Sequence, residues 1–382
     1  GECILHNCPK LTDIYAASRI LNYIGCKCSF ADNTAVITSA QSGHTAIPEE
    51  LMQEMRSSII FLGALLGKNK TGTVSYPGGC ELGSRPIDMH LSSFRKMGVD
   101  IKEKFGRITC SVRKNIHGAK ISLPFPSVGA TENIMLCAVL AEGETVINNA
   151  AREPEIKDLA DFLRCCGAKI KGDGESSIVI EGVKELHGCE YTVMSDRIAG
   201  ATYLAAAAAA GGEIIIHKAC VGCMEPFISL LDQTGCSIYT IDDGIYLRSG
   251  LRLKAVRDCI RTMPHPGFPT DAQAILMAAL IKADGTSVFE ENIFDCRYRH
   301  TDALVKMGAD ITVLGKTAVV KGVDRLYGAR VEATDLRGGA AMVIAALIAE
   351  GKSEITSISH IDRGYEEIEL CLQRLGADIK RE

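Results

Sequence analysis

The sequence predicts an α/β protein of two domains, each built from three repeats of about 70 residues. Three observations carry this. Two series of glycines recur at near-constant spacing and out of phase with one another. Each glycine stands between a helical pattern and a β-branched stretch, as an αL helix cap leading into a strand does. The length, 382 residues, suits two domains or more.

The first series is Gly25, Gly98, Gly167, Gly235, Gly308 and Gly376, with gaps of 73, 69, 68, 73 and 68. Each is read as a helix end followed by a short strand, as in Met97-Gly98-Val99-Asp100-Ile101 and Leu375-Gly376-Ala377-Asp378-Ile379. A second strand often follows, as at Ser177–Ile180 and Thr317–Val320. The second series is Gly72, Gly143, Gly212, Gly285 and Gly351, with gaps of 71, 69, 73 and 66. Each closes an Ala/Leu-rich helix. Stepping back 71 from Gly72 reaches Gly1, and Gly1-Glu2-Cys3-Ile4-Leu5 fits the pattern, so a preceding helix is expected upstream of this chain. The unit is helix, strand, helix and hairpin, and the boundary between domains falls near Asp196, giving 1–195 and 196–382.

The Ala/Leu-rich helices are apolar nearly all round, which predicts burial. Their starts bear Arg56, Gly129, Arg197, Asp271 and Arg337, lying 16, 14, 15, 14 and 14 residues before the closing glycines. A helix N-terminus offers free N–H groups and positive potential, and arginines there add charge. The reading is a phosphate-bearing substrate, bound where such N-termini collect in a cleft between the domains. Simple capping is accepted for Ser127 alone.

Composition narrows the function classes. The formal net charge is −5 and no basic tract occurs, so nucleic acid is not an expected partner. The longest apolar run, Tyr203–Ala210, is far short of the ~20 residues of a membrane span. The start carries no secretory pattern, so a cytoplasmic location is expected. The 16 cysteines are scattered and read as reduced thiols, mostly small core residues. Cys220 and Cys223 form a CxxC with no second pair or nearby His, so no metal and no cofactor is expected.

Pro77-Gly78-Gly79-Cys80-Glu81-Leu82-Gly83-Ser84-Arg85-Pro86 excludes regular structure and marks an exposed loop. Arg85 beside Cys80 favours the thiolate, so Cys80 is either a reactive thiol or one more structural cysteine. His265-Pro266-Gly267-Phe268-Pro269-Thr270-Asp271 delivers a carboxylate to a helix start, and His360–Glu366 sets Arg363 at another turn. Each could instead be a plain capped loop.

These stretches, with Gly83–Asp88, Ser127-Val128-Gly129-Ala130-Thr131, Ala151-Arg152-Glu153-Pro154-Glu155 and Thr334-Asp335-Leu336-Arg337, resemble the UDP-N-acetylglucosamine 1-carboxyvinyltransferase family over essentially the whole chain. The resemblance implies two inside-out α/β barrels with helices inside. It implies transfer of enolpyruvyl from phosphoenolpyruvate to the 3-hydroxyl of UDP-N-acetylglucosamine through a tetrahedral ketal, the first committed step of peptidoglycan synthesis. By position, Cys80 is implied as general acid and fosfomycin target, Asp271 as general base, and Asp335 as assisting near the reacting centre. Arg85, Arg337 and Arg363 are implied to hold phosphate and carboxylate, with Arg56 and Arg297 adding charge. Arg85, Pro86, Ile87, Asp88, Met89, Ser127, Val128, Gly129 and Ile293 are implied for the nucleotide sugar.

The chain departs from the family pattern in three places. The family's Lys-Asn-Ala-Ala motif is expected roughly 15 residues before Gly1, outside the chain. Ala199 stands where the family has Glu, and Phe125 where many members have a basic residue. The missing lysine motivates the alternative, an inactive paralogue that binds a nucleotide sugar. 5-Enolpyruvylshikimate-3-phosphate synthase shares fold and chemistry, but the cysteine loop and Arg85-Pro86-Ile87-Asp88 argue against it.

Overall fold

The computed structural model describes residues 1–39, 43–77, 87–250 and 252–382. They fall into two compact units, one of residues up to 194 and one of residues from 195. The fold is mixed α/β.

In the first unit the helices are α1 (Thr12–Tyr23), α2 (Glu49–Glu54), α3 (Phe61–Asn69), α4 (Asp88–Lys96), α5 (Val128–Ala138) and α6 (Pro154–Cys165). Three sheets share one plan: a central strand with an antiparallel hairpin on one side and a parallel partner on the other. Glu2–His6 pairs antiparallel with Thr34–Thr38 and parallel with Glu190–Thr192, in the register Ile4↔Glu190. Glu144–Asn148 does the same with Ser177–Glu181 and Lys120–Ser122. Thr71–Ser75 pairs antiparallel with Arg107–Ser111, and its parallel partner shrinks to one bridge, Ala46↔Thr73. Inside, α3 and α5 pack together. Leu62, Leu65 and Leu66 of one meet Ile134, Met135 and Ala138 of the other, closed over by Val74, Ile108, Ile147 and Ile178 from the strands. By contrast α6 buries only Ile156, Ala160 and Leu163 and turns Lys157, Asp161 and Arg164 outward, as an amphipathic surface helix does.

The second unit holds α7 (Arg197–Ala210), α8 (Val221–Gln233), α9 (Thr270–Leu280), α10 (Thr301–Lys306), α11 (Leu336–Leu347) and α12 (Ile368–Arg374). Here α7, α9 and α11 each pack against the other two. Every residue of α9 from Ala272 to Leu280 is buried. The all-round apolar pattern thus does what it predicts: those helices lie within the core. Strands lie around them: Thr286–Glu290 repeats the plan, parallel to Ile260–Arg261 and antiparallel to Thr317–Lys321. Among the described residues the strands form six separate sheets, and none closes into a hydrogen-bonded barrel. Among the described residues no helix is long and apolar enough to cross a membrane.

The first-series glycines directly follow helix C-caps, whereas those of the second series lie one to four residues past theirs. All six glycines of the first series have positive φ, from 87° to 101°. In the second series Gly143, Gly212, Gly285 and Gly351 do likewise, but Gly72 does not. There Lys70 takes the left-handed position at φ 58°, and Gly72 lies inside a strand against Leu62 and Leu65. Three local expectations need correction. Ala377–Ile379 forms no strand, because no partner strand is paired beside it. Arg56 opens a 3-10 turn, Arg56–Ile60, that runs on into α3. Cys220 and Cys223 are joined in a disulfide and are not free thiols.

Candidate active site

The starts of the core helices carry the polar groups. Ser127 Oγ accepts from the Ala130 N–H at 3.3 Å and caps α5. Capping is not confined to it. Asp196 Oδ1 accepts from Ile198 N at 2.8 Å and Ala199 N at 3.0 Å. Asp335 Oδ1 accepts from Arg337 N at 3.1 Å and Gly338 N at 3.0 Å. Both aspartates therefore spend oxygen lone pairs on their own helices.

Asp271 is different. Pro269 occupies the N-cap of α9 and makes no side-chain cap, and the turn before it contains a cis His265–Pro266 peptide. Thr270 Oγ1 is drawn to Glu291, 3.1 and 3.0 Å from its two carboxylate oxygens. Asp271, one residue into the helix, is left to face two arginines. Arg297 Nη2 lies 2.9 Å from its Oδ1, and Arg337 Nη2 lies 3.7 Å from its Oδ2. The side chains of Arg297 and Arg337 are 2% and 12% exposed, whereas Asp271 is 44% exposed.

Each arginine is held from behind. Arg297 Nη2 also donates to Thr270 O at 3.0 Å, and the guanidinium sits 5.7 Å over the Phe294 ring. Arg337 Nη1 donates to Tyr365 Oη at 3.2 Å, and its guanidinium lies 5.5 Å over the Tyr365 ring. Tyr365 Oη is 2.8 Å from Thr202 Oγ1, which donates to Ile198 O. In the chain Arg337 → Tyr365 → Thr202 → Ile198 O, Tyr365, Thr202 and Ile198 are buried. In contrast, Nε of Arg297 and Nε of Arg337 are buried with no hydrogen-bond partner among the described residues. Two buried cations thus share one half-exposed carboxylate, and donors remain unmet. Such an arrangement has the positive charge and the donors to take an anion.

His300 and Glu291 frame this cluster. Burial holds the His300 imidazole down at about 4, Arg297 adding to the effect and Asp335 opposing it, so the ring is neutral near pH 7. The Glu291 carboxylate also accepts from Ile293 N at 2.9 Å and Phe294 N at 3.1 Å. It thereby shapes the loop that presents Ile293. Arg363 lies half-buried in the turn two residues before Tyr365.

The first unit gathers a second set. Ile87 leads into α4, whose first residues are Asp88 and Met89, while Val128 and Gly129 form the first turn of α5. His90 and Asn133 tie these helices together. Asn133 Oδ1 accepts from Gly63 N at 2.7 Å, and its Nδ2 donates to Ile59 O at 3.0 Å and to His90 Nδ1 at 2.8 Å. The His90 ring lies against Gly129, where an added Cβ would stand 3.5 Å from its Cε1. Burial lowers the His90 pKa to about 4. Cys80, Arg85 and Pro86 lie outside the described residues.

Sequence reasoning singles out Asp271, Arg297 and Arg337, and the fold brings them together. It passes over Tyr365, Thr202, Glu291, His300, His90 and Asn133. Tyr365 stands inside the quoted His360–Glu366 stretch, and Asn133 and Thr202 are polar positions in mostly apolar helices, which is the signal that marks them.

Comparison with known proteins identifies the family. The family model for EPSP synthase (3-phosphoshikimate 1-carboxyvinyltransferase) matches residues 1–372. UDP-N-acetylglucosamine 1-carboxyvinyltransferase 2 of Caldanaerobacter subterraneus is 51% identical over 381 residues, covering 100% of this chain and 91% of that protein. UDP-N-acetylglucosamine 1-carboxyvinyltransferase 1 of Halalkalibacterium halodurans is 42% identical over 381 residues, covering 100% and 86%. Among solved structures, the enolpyruvyl transferase NikO from Streptomyces tendae superposes with a TM-score of 0.88 at 22% identity, covering 100% of this chain and 90% of that one. EPSP synthase from Acinetobacter baumannii gives 0.76 at 20%, covering 100% and 91%. At 22% and 20% identity the two structures speak for the fold alone. The near-complete family match and the full-length relatives decide the rest: this chain belongs to the EPSP synthase family of carboxyvinyl transferases, among the UDP-N-acetylglucosamine 1-carboxyvinyltransferases.

Proposed function

We propose that this protein transfers the enolpyruvyl group of phosphoenolpyruvate to the 3-hydroxyl of UDP-N-acetylglucosamine and releases phosphate, in the cytoplasm, as the first committed step of peptidoglycan synthesis. The observation that carries the reading is the pair of arginines sharing Asp271, each with a buried Nε that makes no hydrogen bond among the described residues. Relatives bearing the transferase name over the full chain support it.

In this reading Asp271, half-exposed, takes the 3-hydroxyl proton as that oxygen bonds to C2 of phosphoenolpyruvate. The Cys80 thiol protonates C3, giving the tetrahedral ketal. Loss of a C3 proton and of phosphate then restores the double bond. Arg85, Arg337 and Arg363 hold the phosphate and carboxylate, while Arg56 and Arg297 balance charge. Ile87, Asp88, Met89, Ser127, Val128, Gly129 and Ile293, with Arg85 and Pro86, take the nucleotide sugar. Asp335, by capping α11, sets the backbone from which Arg337 extends, and so assists at the reacting centre. The finer architecture belongs to the same proposal: six repeats form two inside-out α/β domains, 1–195 and 196–382, and the reaction draws on residues of both.

The test is phosphate release from phosphoenolpyruvate in the purified protein. Release that requires UDP-N-acetylglucosamine and drops at least about 100-fold in Cys80→Ala supports the reading. Tight binding of the nucleotide sugar with no release in the unsubstituted protein would overturn it in favour of a binding paralogue.

A further inference from the structure

Three cysteines from distant parts of the chain converge in the first unit. Cys3 lies in the strand Glu2–His6, Cys166 is the C-cap of α6, and Cys189 immediately precedes the strand Glu190–Thr192. Their sulfur atoms all lie within 4.8 Å of one another. Cys166 Sγ and Cys189 Sγ are 3.4 Å apart. The backbone holds all three. The parallel register Ile4↔Glu190 sets Cys3 beside Cys189 on neighbouring segments. Ile4 N donates to Cys189 O at 2.9 Å, and His187 N donates to Cys166 O at 2.9 Å. Cys166 is buried while Cys3 and Cys189 are half-buried, so the cluster is supported from below and open to solvent at one side.

We propose that Cys3, Cys166 and Cys189 form a binding site for one thiophilic divalent cation of the zinc type, held by three thiolates with the fourth position open. Metal–sulfur bonds of about 2.3 Å around a tetrahedral centre place thiolates about 3.8 Å apart, so the observed cluster needs only small side-chain shifts to close on an ion. The donor set is sulfur alone, which selects a soft or borderline cation over magnesium or calcium. Binding exchanges protons for the ion: M²⁺ plus three thiols gives a tris-thiolate complex and three protons, so binding tightens as pH rises. The ion would tie one helix end to two parallel strands. This site lies in a different unit from the Cys220–Cys223 disulfide and is independent of the transferase reaction.

The test uses the full chain, reduced and free of oxygen, titrated with Cd²⁺ as a spectroscopic probe and with Zn²⁺ against a chromophoric chelator. One equivalent with a thiolate-to-metal charge-transfer band is expected. Cys189→Ser and Cys3→Ser should each weaken binding about 100-fold with circular dichroism unchanged. Cys220→Ser, in the other unit, should keep both the band and the affinity. Cys3→Ser is the milder variant, since its side chain is half-buried and its loss leaves the Cys166 packing intact. Absence of the band in the unsubstituted protein would overturn the proposal. So would unchanged affinity in folded Cys3→Ser and Cys189→Ser, or a Cys166–Cys189 disulfide that persists in the reduced protein in place of metal binding.

Discussion

Asp196, Asp271 and Asp335 stand at corresponding helix starts, yet their neighbours give them different work. Asp196 and Asp335 accept from helix N–H groups, while Asp271 faces Arg297 and Arg337. Asp271→Asn keeps the shape and removes the base. Turnover should fall about 10²- to 10⁴-fold in a phosphate-release assay, with the dissociation constant for UDP-N-acetylglucosamine nearly unchanged. A parallel loss of binding would instead mark Asp271 as a structural anchor. Tyr365 acts through Arg337. Tyr365→Phe removes the hydroxyl that links Arg337 Nη1 to Thr202, so Arg337 gains another unmet donor. The KM for phosphoenolpyruvate should rise about 10-fold while kcat changes less, and stability should drop about 1 kcal/mol. Asp271 was legible because a Pro-rich turn delivers it. Tyr365 was not, because its role depends on a residue 163 positions away, and local spacing carries no trace of that contact.

At the scale of elements, the helices the sequence marks as apolar all round are the ones in the core, and α5 shows the cost of a polar group there. Glu132, half-buried on α5, is pushed up to about 7, by burial first and then by the charges of Glu155 and Glu153. The folded chain therefore holds this proton more tightly than the unfolded chain. The stability linked to it is complete below the ordinary value of 4.5 and is lost as pH rises through about 7. Glu132→Gln imitates the protonated form. Thermal melts should show little difference from the unsubstituted protein at pH 4.5 and a gain of about 1–3 kcal/mol at pH 8. An equal effect at both pH values would assign the change to packing. Glycine caps were the most legible elements, since a positive φ strains any residue with a Cβ. Even there Lys70 replaces a glycine, and a neighbouring side chain, not the cap, explains Gly72.

For the whole molecule, the two units each carry their own aliphatic core, one centred on α3 and α5 and the other on α7, α9 and α11. A ligand that binds only the folded chain adds to that stability by mass action. UDP-N-acetylglucosamine at 100 times its dissociation constant should stabilise the protein by about 2.7 kcal/mol, read as a rise in Tm. N-acetylglucosamine without the nucleotide should give no shift at the same concentration; an equal shift would remove the diphosphate from the recognition. The glycine spacing, the alternation of buried helix and paired strand, and the family motifs were determined by the sequence alone. Each is a local pattern, a glycine demanding αL geometry or an apolar surface demanding burial, and local patterns need no knowledge of distant contacts. Only the tertiary structure decided which aspartate faces arginine and which caps a helix, what stands behind Arg337, and that Cys3, Cys166 and Cys189 share one space. These depend on residues brought together by chain reversal, where the energy of a buried charge or thiol is set by neighbours far away in sequence.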